Sequence, residues 1–168
     1  MARSQWVSRA YLEHLLAAMM PSNALAIRIS ANHGLRIGDV LKMTVADVRK
    51  NIWSFKEEKT GKRRRVKLSE REKRQLLSIA GKIYVFEHRL DHHKHRTRQA
   101  VYKDIKRAAK YMRVPLVSPH TARKIYSVEQ YRKSGGNMKK VQRLLNHDDE
   151  AVTILYALAD KMSKYKNL

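Results

Sequence analysis

The chain contains no cysteine. Disulfide frameworks, thiolate nucleophiles and zinc sites built on cysteine are excluded with it, so any covalent chemistry must come from other side chains. Acids are scarce: 15 Asp and Glu stand against 37 Lys and Arg in 168 residues, a formal net charge of +22. Apolar runs are short, none approaching the roughly 20 residues needed to cross a bilayer, and residues Met1 to Arg9 lead into no signal-peptide core. A soluble intracellular protein is expected. Internal repeats and low-complexity linkers are absent as well, and the length suits one domain.

What is present is a folded, basic chain. With 43% hydrophobic residues it can bury a core of ordinary size, which argues against a disordered polycation. So large a positive excess concentrates polyanions around the molecule, leaving nucleic acid or an anionic membrane face as partners. Placement of the charge separates the two. Lys56 to Lys67 holds seven Lys or Arg and two acids in twelve residues, on what reads as a hairpin, whereas a membrane-surface helix needs a broad apolar face opposite its charges. Nucleic acid is the expected partner, with no role for a membrane.

Local signals divide the chain into short elements. Ser8 reads as the cap of a helix with apolar Leu12, Leu15, Leu16 and Met19, stopped by Pro21. Ser22 or Asn23 restarts a helix carrying Leu25, Ile27 and Ile29, which ends at Gly34. Asn51–Phe55 and Arg63–Leu68 read as the strands of a β-hairpin with a charged, glycine-bearing tip. Ser69-Glu70-Arg71-Glu72 has the capping-box spacing and opens a helix closing near Gly81, and Ile83–Phe86 reads as a third short strand. Thr97 to Met112 is an amphipathic basic helix buried through Val101, Ile105, Ala108, Ala109 and Met112. Further helices are expected over about His120–Lys133, from an Asn137 cap over Met138–Leu145, and over Glu150–Ala159. Four histidines, His88, His92, His93 and His95, share one segment. Arg89, Lys94, Arg96 and Arg98 around them would repel a divalent cation, so a basic loop near DNA is read there and no metal site.

Several motifs then recur in order: Gly34-Leu35-Arg36-Ile37-Gly38-Asp39-Val40-Leu41, Lys59-Thr60-Gly61, His120-Thr121-Ala122-Arg123, Leu144-Leu145-Asn146-His147, and Tyr156. Each is weak alone. Together they resemble the catalytic domain of tyrosine recombinases, the phage integrase family, over roughly Ser8 to Ala159. The resemblance implies an α+β, mainly α-helical fold with a small antiparallel sheet, like the tyrosine recombinase catalytic domain. It implies one catalytic domain over residues 1–168, without the helical N-terminal core-binding domain usual in the family, in a natural single-domain member or in a fragment of a longer protein.

The implied activity is site-specific cleavage and rejoining of DNA through a 3′-phosphotyrosyl intermediate, with no metal or other cofactor. Tyr156 would be the nucleophile. Arg36 and Arg123 would hold the non-bridging oxygens, since a guanidinium fork matches them and stays charged. His120 would be the base that the phenol needs at neutral pH, and His147 would hydrogen-bond a phosphate oxygen. Lys59 would protonate the leaving 5′-oxygen, although Lys56 and Lys62 lie close enough in sequence to compete for that role. Lys56, Lys62, Arg63, Arg64, Arg65, Arg96 and Arg98 are the expected DNA-binding cations. The partners implied are double-stranded DNA and a homo-oligomer on it, up to a tetramer, or an accessory DNA-binding partner. The location implied is the cytoplasm, in association with DNA, in a bacterial, archaeal or phage-infected cell.

Four departures mark a divergent member: Asp39 where the family usually has Glu, Asn146 where glycine usually precedes the second histidine, Thr121-Ala122 inside the H-x-x-R pair, and a gap from Arg123 to Leu144-Leu145-Asn146-His147 that runs one residue long near Gly135-Gly136. Two other readings stay open. One is a recombinase-like DNA-binding regulator without turnover, and the other is a type IB topoisomerase-like relaxing enzyme.

Overall fold

Ser8 begins the ordered helices as expected: its hydroxyl accepts from the Tyr11 N–H and opens α1 (Arg9–Ala17), which buries Leu12, Leu15 and Leu16. The computed structural model describes residues 6–113 and 116–145. The first helix ends at Ala17, short of Met19 and four residues before Pro21, and α2 (Pro21–His33) starts on that proline rather than at Ser22 or Asn23. Proline lacks the N–H that the first turn would leave unpaired, and its φ is already helical. Leu25, Ala26, Ile27, Ile29 and Ala31 are buried, so α2 is the central helix of the molecule. It packs chiefly on α7 (Pro119–Lys133) and ends at Gly34 in the left-handed conformation, φ 65°.

Two one-turn helices follow, α3 (Ile37–Leu41) and α4 (Val45–Arg49), the second closed by a Thr44/Asp47 capping box. The hairpin is β1 (Trp53–Lys56) paired antiparallel with β2 (Arg63–Val66), Trp53 opposite Val66 and Lys56 opposite Arg63. The chain continues through α5 (Glu70–Ser78), α6 (Arg98–Tyr111), α7 and α8 (Met138–Leu145). The fold is thus mainly helical with one small antiparallel sheet. One main hydrophobic core runs from Leu12 and Ile27 through Phe86 and Ile105 to Ile125. Among the described residues no helix is long and apolar enough to cross a membrane.

Ile83–Phe86 is not a third strand. Val45 N–H donates to the Ile83 carbonyl at 2.9 Å and Val85 N–H to Met43 at 3.0 Å, but the Phe86 carbonyl accepts from Arg96 instead, at 2.7 Å. Among the described residues the segment's partner on the Thr44 side is the link between α3 and α4, too short to extend a ladder past the Thr44–Tyr84 bridge. The helix expected over Glu150–Ala159 lies outside the described residues.

The capping box of α5 also ties the hairpin side of the molecule to α2. Ser69 Oγ accepts from the Glu72 N–H and Glu72 Oε2 accepts from the Ser69 N–H, while Glu72 Oε1 accepts from Asn32 Nδ2 at 3.0 Å and meets His33 Nε2 at 2.9 Å. Burial by itself raises the Glu72 pKa, but the bonds from His33, Asn32 and the Ser69 N–H outweigh it and bring it from 4.5 down to about 2. A carboxyl depressed in the folded state stabilises the fold fully above its unfolded pKa and loses that contribution as pH falls through the folded one. Urea titrations between pH 4.5 and 2 are therefore expected to show Glu72→Gln losing less stability with acid than the parent chain, by a margin of order ~3 kcal/mol. Parallel curves for the two proteins would refute this.

Candidate functional site

Five segments carry the candidate residues, and local structure explains how three of them meet. Arg36 is the N-cap residue of α3, placed there by the left-handed turn at Gly34. A Cβ built on Gly34 would lie 2.3 Å from Cδ1 of Tyr126, so both the backbone angle and the ring beneath require glycine. Lys59 stands at the hairpin tip between β1 and β2, where Gly61, at φ 67°, reverses the chain. His120 is the second residue of α7, behind a Ser118 cap.

Arg36, Lys59 and His120 all line one cleft of about 320 Å³, together with Ile37, Gly38, Asp39, Glu58 and Arg98. Arg98, the first residue of α6, comes within 3.1 Å of where a Gly38 Cβ would be, so Gly38 lets that cation reach the cleft. Lys59, Arg98 and His120 are exposed there, while Arg36 is half-buried.

Carboxylates organise the inner wall. Glu57 is 1% exposed, and its Oε2 accepts from Arg36 Nη1 at 3.0 Å and from Thr60 Oγ1 at 2.8 Å. Asp39 Oδ1 accepts from the Glu58 N–H at 3.1 Å, tying α3 to the hairpin tip. Burial pushes the Asp39 carboxyl up, and the Glu58 N–H works against it. The shorter acid at position 39 thus still reaches the turn that carries Lys59.

Arg123 does not line the cleft. It is 3% exposed on α7, where Nη1 donates to the Gly34 carbonyl at 2.9 Å and Nη2 to the Leu145 carbonyl at 2.8 Å. It therefore joins the turn leading to Arg36 with the end of α8, beyond which His147 follows in sequence. His147 and Tyr156 lie outside the described residues.

Two of the cations expected at a phosphate backbone turn inward. Alternation along β2 leaves Arg63 and Arg65 exposed but buries Arg64 with Val66. Arg64 Nη2 donates to the His33 carbonyl at 2.9 Å, and Nη1 donates to the Leu144 carbonyl and lies 4.0 Å from Glu57. Burial lowers the Arg64 pKa and the Glu57 charge opposes that shift. Arg64 and Arg123 together satisfy carbonyls at the ends of α2 and α8, groups that a helix leaves unpaired. Arg96 is half-buried, with Nη1 donating to Asn23 Oδ1 at 2.9 Å, in a network where Asn23 Nδ2 donates to Asp104 at 2.7 Å. Lys56, Lys62, Arg63, Arg65 and Arg98 remain on the surface.

The histidine-rich segment is a turn: His95 packs edge-on against Tyr84, and the His92 and His93 rings lie tilted against each other with centroids 4.0 Å apart. Among the described residues no three His, Asp or Glu side chains gather as a metal site would require. Glu57 is the functional candidate that reasoning from sequence misses, because an acid in a cation-rich tip reads as solvated.

Comparison with solved structures finds the same fold in several recombinases. A lambda integrase dimer bound to a COC' core site matches with a TM-score of 0.73 at 18% identity, over 92% of this chain and 48% of that one. The XerA recombinase matches with a TM-score of 0.69 at 17% identity, over 97% and 64%. The integrase from mycobacterium phage Brujita matches at 0.66 and 19%, over 88% and 50%. The chain thus spans about half to two thirds of the length of these proteins. No curated protein sequence matches it. The Phage integrase family itself matches residues 5–162, a span that takes in the Arg36 turn, the Lys59 hairpin, the His120–Arg123 helix and the two residues beyond the described region, His147 and Tyr156. With motif order, fold and family match in agreement, the chain belongs to the phage integrase family, the tyrosine recombinases.

Proposed function

We propose that this chain is a catalytic domain that cleaves and rejoins duplex DNA at specific sites through a 3′-phosphotyrosyl intermediate. The observation that carries the reading is the convergence of Arg36, Lys59 and His120, from three separate elements, on one cationic cleft. The relatives of known structure include a lambda integrase tetramer bound to a Holliday junction and a XerH recombinase on its difH substrate, which supports DNA as the partner and assembly on it as a homo-oligomer.

Attack by the Tyr156 hydroxyl on a backbone phosphorus forms the O–P bond to tyrosine and breaks the bond to the 5′-oxygen. His120 takes the phenolic proton, which the phenol's ordinary pKa near ~10 would otherwise keep in place. Lys59 delivers a proton to the departing 5′-oxygen, so that it leaves as a hydroxyl. Arg36, with a role proposed for His147, serves the non-bridging oxygens, whose charge grows in the transition state, while Arg123, bonded to the Gly34 and Leu145 carbonyls away from the cleft, holds the turn that carries Arg36. The bond energy stays in the phosphotyrosyl link, and a 5′-hydroxyl from the same or another strand reverses the step. The exposed Lys56, Lys62, Arg63, Arg65 and Arg98 bind flanking phosphates.

A duplex nicked close to the cleavage point traps the intermediate, because the short 5′-hydroxyl fragment diffuses away. The expected result is a protein–DNA adduct resistant to denaturant that Tyr156→Phe abolishes, while duplex binding persists and weakens with salt at a log–log slope of about −0.9 per phosphate neutralised. Binding without adduct on any site would favour a DNA-binding regulator, and relaxation of supercoiled DNA without recombinant products would favour a type IB topoisomerase-like enzyme.

A further inference from the structure

We propose that Glu57 is a positioning residue for strand cleavage: its buried carboxylate orients the Arg36 guanidinium and at the same time sets the turn that presents Lys59. The assignment rests on the cleavage reading above and adds a residue to it.

Glu57 sits beside the tip of a hairpin crowded with cations, yet it is 1% exposed. Burying a carboxylate is costly unless charge and hydrogen bonds meet it. Here one oxygen, Oε2, accepts both from Arg36 Nη1 at 3.0 Å and from Thr60 Oγ1 at 2.8 Å, and Oε1 lies 4.0 Å from Arg64 Nη1. The main chain of the same residue closes the turn, with its N–H donating to the Lys62 carbonyl at 3.0 Å and its carbonyl accepting from the Gly61 N–H at 2.9 Å. Lys59 lies inside that loop, next to Thr60. A shift of the tip that carries Lys59 therefore pulls on the oxygen that holds Arg36. The two cations come from elements distant in sequence, and Glu57 bonds both to the first arginine and to the lysine turn.

A fixed guanidinium loses less freedom when a phosphate arrives, and the advantage is greatest in the transition state, where misplacement by about 1 Å costs of order 10²-fold. Removing the charge while keeping the shape separates this role from simple folding. With the full chain and the nicked duplex, Glu57→Gln is expected to slow adduct formation about 10–100-fold at saturating DNA, with the Kd for uncleaved duplex within about 2-fold of the parent. Thr60→Val, at the partly exposed tip, is expected to slow the step about 3–10-fold and to add nothing when combined with Glu57→Gln, because both cut the same link. Thr60→Val leaves the buried carboxylate in place, so it reports even if Glu57→Gln unfolds.

Parent-like cleavage by Glu57→Gln, or by Thr60→Val where Glu57→Gln does not fold, overturns the assignment and leaves the cleavage reading standing. So does a rate loss that follows only the fraction of folded or DNA-bound protein. Absence of adduct with the parent chain overturns the cleavage reading itself, and this assignment with it.

Discussion

Arg36→Ala is expected to lower the rate of adduct formation by about 10²–10³-fold, the usual consequence of removing one preorganised donor group from a phosphate or oxyanion site. Stability falls with it for a separate reason. Glu57, 1% exposed, would keep Arg64 at 4.0 Å and the Thr60 hydroxyl but lose its closest cation, and removing one partner of a buried ion pair costs about 3–5 kcal/mol where nothing replaces it. Arg36→Lys separates the two effects. An ammonium facing Glu57 recovers most of the stability, yet as a point charge it cannot present two parallel N–H bonds to a phosphate. Single-turnover cleavage by Arg36→Lys is expected to stay at least about 10-fold below the parent while its Tm returns towards the parent value. Full recovery of the rate by lysine would remove the forked geometry from the account.

Gly34→Ala is the substitution with the largest expected effect on the fold. At φ 65° a Cβ costs about 1–2 kcal/mol, and here it would also stand 2.3 Å from Cδ1 of Tyr126, a ring only 8% exposed. Overpacking of this kind adds about 1–3 kcal/mol. The sum, about 2–5 kcal/mol, corresponds to a fall in Tm of roughly 5–15 °C for a chain of this size. The same carbonyl that accepts from Arg123 Nη1 at 2.9 Å belongs to Gly34. Whatever movement relieves the clash therefore displaces Arg123 as well as the turn to Arg36, and cleavage measured well below the new Tm is expected to fall along with stability. Calorimetry showing a parent-like Tm would contradict the steric argument.

Much of this organisation is legible in the sequence because it is written locally. Ser8, Ser69, Thr97 and Asn137 each hold a helix N-terminus through a side-chain oxygen, and Gly34 ends α2 in the conformation that glycine favours. Those signals need no knowledge of the rest of the chain. Elements defined by distant partners are harder to read. α3 and α4 are single turns, too short for a hydrophobic period to show, and Ile83–Phe86 has strand-like residues but, among the described residues, no adjacent strand of sufficient length.

The site divides the same way. Motif order points to Arg36, Lys59 and His120, and the fold brings them to one cleft. Within Arg63-Arg64-Arg65 nothing in composition distinguishes the middle residue, and only the pairing of β2 with β1, with Arg64 opposite Phe55, turns it inward. Arg96 likewise looks like its basic neighbours until the buried Asn23 and Asp104 are seen to need a donor. Glu57 shows the same limit from the acidic side, since its burial follows from meeting Arg36, a residue 21 positions away.

The central claim is that the Tyr156 phenol becomes bonded to a DNA phosphorus, and the most direct measurement is the identity of the amino acid that carries the strand. Proteolysis of the trapped adduct followed by mass spectrometry should recover the peptide containing Tyr156 with a 3′-phosphorylated nucleotide attached, and the released strand should bear a free 5′-hydroxyl. Attachment through any other side chain, or through a 5′-phosphate, would contradict the account.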